Sequence, residues 1–251
     1  MELKETLRHL SAAQAPKEIE SLLQQTTIAL LSNYKVSTHG LSLYPIELES
    51  YFFKQAIYED PYVHSNALQM NHFGELYVHR RGKEADSPYK MDNRVCVGIS
   101  LSTDNTYYYS ALIRSAVFSD GTMVFGPNNV LMHLMRRVNA QEQLLAPSFF
   151  DTRHAGTFLL GGLFHTIEGR KVLQPATAAE DLRDKTCIFC SSRVGLGDEN
   201  PSFRDAQLRT VIGKLSKEYA FKEKTLLLNN YLQTHHLTGE EAKKEMKRLR
   251  A

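Results

Sequence analysis

Apolar residues fall at helical spacing near the start of the chain and then change period. In "PKEIESLLQQTTIALLSN", residues 16 to 33, Ile19, Leu22, Leu23, Leu30 and Leu31 recur at mostly helical intervals and predict an amphipathic helix. Downstream the period becomes two, in short runs rich in tyrosine, valine and phenylalanine. "LSLYPIELESYFF", "GELYVHRR", "NRVCVGISL" and "TYYYSALIRSAVF" are the expected strands. "GPNNVLMHLMRRV" predicts a helix entered through Gly126 and Pro127, because proline suits a first helical turn. "FLLGGLFHTI" and "TCIFCSSRVGLG" add two further strand candidates. "TGEEAKKEMKRLR" carries the capping-box pattern Thr238-x-x-Glu241 and ends in basic residues, which predicts a final helix on the outside. With no internal repeat or linker in the pattern, one mixed α and β domain over residues 1–251 is expected. It divides into an N-terminal helical segment 1–38, a core 39–215 and a C-terminal helical extension 216–251.

One strand is awkward. "YPIELESYFF", residues 44 to 53, holds Glu47 and Glu49 in an apolar run, and strands host glutamate poorly. Alternation puts Glu47, Glu49 and Tyr51 on one face and Ile46, Leu48 and Ser50 on the other. The second face reads as core. The first is then either a solvated edge or the wall of a cleft, where a carboxylate beside a tyrosine could serve as a general base next to a stacking platform.

Composition narrows the class without choosing among these. At 42% apolar and 23% charged residues the chain is an ordinary folded globular protein. A net charge of +2 does not by itself mark a polyanion binder. Three cysteines, an odd number, speak against a disulfide scaffold and for a reducing compartment. No signal core stands at the N-terminus and no apolar run approaches the roughly 20 residues of a membrane helix, so a cytoplasmic protein without membrane contact is expected. Cys187-x-x-Cys190 lacks a second ligand pair, so neither a metal nor another cofactor is expected.

Read in order, the E-x-Y of Glu49 and Tyr51, "DPYVHSN", "GELYVHRRG", "NRVCVGIS", "ALIRSAV", "FGPNNVLMHL" and "RVGLG" resemble the alkyladenine (3-methyladenine, methylpurine) DNA glycosylase family. The resemblance covers roughly residues 25 to 215 and rests on the shared order of short motifs. It implies an α+β fold, a single mixed domain with a curved, largely antiparallel sheet flanked by helices. It also implies a monomer acting on double-stranded DNA that contains damaged purines, in base excision repair and on the nucleoid if the source is bacterial. Such enzymes flip the damaged nucleotide into a pocket.

Residue by residue, the resemblance makes Glu49 the carboxylate that activates water at the sugar C1′. Arg114 would lie near that water and the DNA backbone, or else form a structural salt bridge to one of the glutamates. Tyr51 would stack on the flipped base. His64 would stand at the pocket wall, or be a core histidine. Tyr77 and His79 would supply the opposite wall, His79 replacing the family's second aromatic. Glu47 has no counterpart and is expected to face solvent.

Two departures follow. Gly98 replaces the family's pocket asparagine and should leave room for guanine-derived lesions such as 7-methylguanine. The segment "HRRGKEADSPYKMDNR" is longer and more polar than the family's intercalating hairpin. Tyr89 could be its wedge, with Arg80, Arg81, Lys83, Lys90 and Arg94 near phosphates, or the segment is simply a solvated loop. The expected activity is that of a monofunctional purine DNA glycosylase. The alternatives are a relative that hydrolyses another glycosidic bond, such as that of a modified nucleoside, and a module that binds modified bases without cutting.

Overall fold

A computed structural model describes residues 2–90, 95–146, 150 and 161–251. It begins with two helices, α1 (Leu3–Ala12) and α2 (Pro16–Asn33). Ile19, Leu22, Leu23, Thr26, Thr27, Leu30 and Leu31 form the buried stripe of α2, as its periodicity predicts. The chain then turns without a linker into β1 (Tyr34–Thr38), so the N-terminal helical segment ends earlier than the sequence pattern placed it. His39 and Gly40, both at positive φ, join β1 to β2 (Leu41–Lys54), with Thr38 opposite Leu41. Such two-residue turns match the twist of paired strands.

The long strand β2 is the centre of one antiparallel sheet. β6 (Tyr108–Phe118) pairs along one of its edges. Its other edge is shared by β1, by β10 (Arg209–Ile212) and by the short β3 (Tyr58–Glu59). Beyond β6 lie β5 (Val97–Ser100), β4 (Leu76–Val78) and the hairpin partner β7 (Met123–Phe125). β8 (Leu173–Pro175) extends the β1 edge, and β9 (Ile188–Ser191) extends β10. The molecule is therefore a mixed α+β fold around a curled antiparallel sheet.

Leu48, Phe52 and Ile46 belong to a core that also takes in the apolar residues of α1 and α2. The helix α3 (Pro127–Glu142) buries Val130, Leu131, Leu134, Met135 and Val138 in the same core. "FLLGGLFHTI" corrects its sequence reading: its described part lies in the helix α4 (Gly161–Ile167). Leu163, Phe164 and Ile167 are buried, a spacing that fits a helix turn and not a strand, and two adjacent glycines weaken a strand. The one-turn α5 (Pro201–Arg204), then α6 (Lys224–Thr234) and α7 (Gly239–Arg250), complete the chain. Thr238 precedes α7 as expected but makes no side-chain capping bond. Leu249 anchors the last turn instead, with its carbonyl accepting from the amide of Leu215 at 2.8 Å.

The core sets a first expectation. Leu23→Ala should cost about 2–5 kcal/mol of stability in urea denaturation, and an unchanged midpoint would contradict the packing of α2 against the sheet.

Candidate functional site

Strand alternation sends Glu47 and Glu49 away from the Leu48 face, yet neither meets solvent: they are 3% and 0% exposed. The expectation of a solvent-facing Glu47 is corrected. Its Oε1 accepts from Nε of Arg114 at 3.2 Å and from Nε and Nη2 of Arg209 at 2.8 and 2.7 Å. Its Oε2 accepts from the hydroxyl of Ser115. Consecutive residues of a regular strand point to opposite faces, so Arg114 and Ser115 could not normally both reach one carboxylate. An irregularity in the ladder permits it. Glu47 pairs with Ser115 and Leu48 with Ile113, leaving Arg114 without a register partner. Bulges of this kind re-aim side chains.

Glu49 is equally enclosed. Its Oε1 accepts from the Val194 amide at 2.7 Å and contacts Nη1 of Arg114 at 3.2 Å. Its Oε2 accepts from the Tyr51 hydroxyl at 3.1 Å and from the same Nη1 at 3.3 Å. A second ion pair lies close by. Nη1 of Arg193 meets Asp60 at 2.6 Å, both side chains being fully buried, and its guanidinium covers the Tyr51 ring at 4.8 Å. Burial works to lower the pKa of Arg114, but Glu49 and Glu47 outweigh it and the net shift is upward. The same opposition, with Asp60 prevailing, raises Arg193. The buried Glu47, Glu49 and Asp60 thus face Arg114, Arg209 and Arg193, and the more exposed Glu223 adds a fourth carboxylate at 3.7 Å from Arg209. Tyr62 ties the segments that carry Asp60 and Arg193 together, its hydroxyl donating to the Gly197 carbonyl at 2.6 Å.

Sequence reasoning brought Glu49, Tyr51 and Arg114 to one place, and the structure keeps them there. It missed Arg209, Arg193 and Asp60. The signal for Arg209 was present in "QLRTVIG", an arginine inside an apolar strand, which demands a buried partner.

The aromatic residues also gather, but against one another. His79 meets Tyr51 edge-on at 6.2 Å between ring centroids, His64 at 5.9 Å and Tyr77 at 5.1 Å. No slot for a stacked base stands open between Tyr51 and His79. Nε2 of His79 is buried and has no hydrogen-bond partner among the described residues. Burial, then the Lys90 charge, pushes His79 down to about 3 and His64 down to about 4. The Tyr51 hydroxyl is raised well above its ordinary value, by burial first and then by Glu49.

Gly98 lies opposite Tyr77 and Leu112, among these residues. The spare room expected there is absent. A Cβ at this position would come within 2.8 Å of the Ala111 carbonyl oxygen, so the neighbouring backbone fills the space.

The polar segment after β4 is corrected as well. Arg80 is 3% exposed and bonds Glu168 at 2.6 Å, so it does not face a phosphate. It also covers the Tyr89 ring at 4.1 Å, while the Tyr89 hydroxyl donates to Glu168 at 2.6 Å. With its ring also packed edge-on against Phe164 of α4 at 5.0 Å, Tyr89 is an anchor and not a free wedge. Asn66 pins the segment further, its Nδ2 donating to the carbonyls of Gly82 and Glu84 at 2.7 Å each. Arg81 and Lys83 are exposed, and Lys90 is half-buried with its amide on the His79 carbonyl at 2.9 Å. Arg94 lies outside the described residues.

A separate cleft of about 850 Å³ opens on the far side of Arg114, between β7 and the start of α3. Among the described residues, no three His, Cys, Asp or Glu side chains converge as a metal site requires. No helix among them is long and apolar enough to cross a membrane. No protein-family model matches the chain, and no curated protein matches it in sequence.

The histidine pair makes stability depend on pH. An unfolded histidine binds its proton near pH 6.5, whereas His79 and His64 hold theirs only below about 3 and 4. The unfolded chain therefore binds more protons as pH falls below about 6.5, and stability declines through that window. Replacing His79 by Phe should flatten the decline measured by denaturation at stepwise lower pH. An unaltered slope would contradict the buried neutral pair.

Proposed function

We propose that the protein is a monofunctional purine DNA glycosylase with Glu49 as its water-activating carboxylate. The observation that carries this reading is the convergence of Glu49, Arg114 and Tyr51 with the backbone of "RVG" at Val194, from three separate stretches of the chain. Those are the stretches on which the resemblance to alkyladenine DNA glycosylases rests, and they meet at a single carboxylate.

In the reaction, the oxygen of a water bonds to C1′ of the damaged nucleotide as the glycosidic bond to the purine breaks. The bonding pair leaves with the purine. One water proton passes to Glu49, the other stays on the new sugar hydroxyl, and the products are a free base and an abasic site. An alkylated purine is a good leaving group, so the demands on the protein are water activation and stabilisation of the cationic sugar. A carboxylate beside C1′ serves both.

Glu49 has about four lone-pair directions, and its two oxygens already meet the Val194 amide, the Tyr51 hydroxyl and Arg114. A water must replace one of these. The Tyr51 hydroxyl is the neutral side-chain donor, and Tyr51 is also the ring that must swing to stack on a base. Substrate entry and liberation of Glu49 are then the same movement.

The saturation of Glu49 also favours a second reading. If Tyr51 never leaves, the protein recognises modified bases in DNA or RNA without cutting them. Incubation with methylated duplex DNA distinguishes the two. The wild type should release methylpurines, and Glu49→Gln should reduce release by at least about 10²-fold, within the range that general-base catalysis contributes. Binding without release selects the second reading, and release that survives in Glu49→Gln would overturn the assignment of the base.

A further inference from the structure

Arg114 has two sides. Its Nε and Nη1 are held by Glu47 and Glu49, while Nη2 makes no hydrogen bond among the described residues and the guanidinium borders the 850 Å³ cleft. The described residues lining that cleft include Arg114, Arg136, Lys222 and His133 and no carboxylate. Arg136 and Lys222 are exposed, and Nη2 of Arg136 donates to the Phe150 carbonyl at 2.9 Å. Burial, then the Arg137 charge, lowers the pKa of His133, and its Nε2 is buried without a partner among the described residues. The cleft also receives the first turn of α3, where Pro127 has no amide proton and the Asn128 and Asn129 amides have no intrahelical acceptor. Arg136 and Lys222, with no carboxylate among the described lining residues, and the outer side of Arg114 beside an oriented helix start attract an anion with phosphate-like geometry.

A phosphate alone would leave most of this volume empty. About 850 Å³ lies within the roughly 300–1,000 Å³ of small-molecule sites, and Phe125 and Met132 give the cleft an apolar wall beside the charges. Basic groups next to an aromatic surface suit a phosphate joined to a base.

We infer that the cleft between β7 and α3 is a nucleotide-unit site, with Arg114, Arg136 and Lys222 on the phosphate and Phe125 and Met132 against the base. The site is separate from the Glu49 centre and joined to it through Arg114. It requires no base excision, so it holds or fails apart from the glycosylase reading.

The test is binding measured by calorimetry for inorganic phosphate and deoxyadenosine monophosphate, and by fluorescence anisotropy for a short labelled oligothymidylate. Wild type is compared with Arg136→Ala and Lys222→Ala, both exposed positions whose loss leaves the core intact. Arg170→Ala, an exposed arginine outside the cleft lining, controls for the loss of one charge. Either cleft variant should weaken nucleotide binding on the order of tenfold and make the salt slope shallower by about one, as expected for a lost phosphate contact. Loss for both ligands supports a site open to free nucleotide, and loss for the oligothymidylate alone supports a site filled by a strand. Three results overturn the inference: no nucleotide binding at all, cleft variants no weaker than Arg170→Ala, or phosphate bound as tightly as the nucleotide.

Discussion

Charges placed inside a sheet must be neutralised there, and most of the architecture around β2 follows from that requirement. An unpaired buried ion costs several kcal/mol even after relaxation. Glu47, Glu49 and Asp60 would be untenable at their positions without Arg114, Arg209 and Arg193, which meet them at 2.6 to 3.3 Å. The bulge in the β2–β6 ladder places Arg114 between both glutamates, and the adjacent β10 delivers Arg209 to Glu47. The segments bearing Asp60 and Arg193 are joined by that ion pair and by the nearby Tyr62–Gly197 hydrogen bond. Each device makes sense only in the presence of the others.

The same network defines what the site can do. It holds both oxygens of Glu49 and leaves the Tyr51 hydroxyl as its only neutral side-chain donor among the described residues. It also shares Arg114 between the carboxylates and an open cleft, so an anion in that cleft would draw on the same guanidinium that steadies Glu49. Glu49 and the cleft are joined structurally through this one side chain. The cluster of Tyr51, His64, Tyr77 and His79 packs ring against ring, and Nε2 of His79 has no hydrogen-bond partner among the described residues.

Periodicity revealed the elements with a clear face. α2, β2, β6 and α3 were legible because their apolar residues repeat at 3.6 or 2, and the alternation in "IELESY" assigned both glutamates to one side. It could not say what lay over that side. A carboxylate under a loop and one in water have the same local sequence, and the difference is made by Arg209, some 160 residues away in the chain. "FLLGGLFHTI" misled because a short apolar run has no period of its own to tell strand from helix. Tyr89 and Arg80 read as DNA contacts because their partner, Glu168, is distant in sequence. A missing side chain at Gly98 read as space, since only the register with Ala111 shows the backbone occupying it.

Compensated buried charge holds the β2–β10 junction, and a double-mutant cycle on Glu47 and Arg209 tests this most directly. Each single change, Glu47→Leu or Arg209→Leu, should lower the free energy of unfolding by about 3–5 kcal/mol, because it strands the partner charge. The double variant should lose clearly less than the sum, as expected for two groups in direct contact. Losses that simply add, or single changes that cost nothing, would contradict the account.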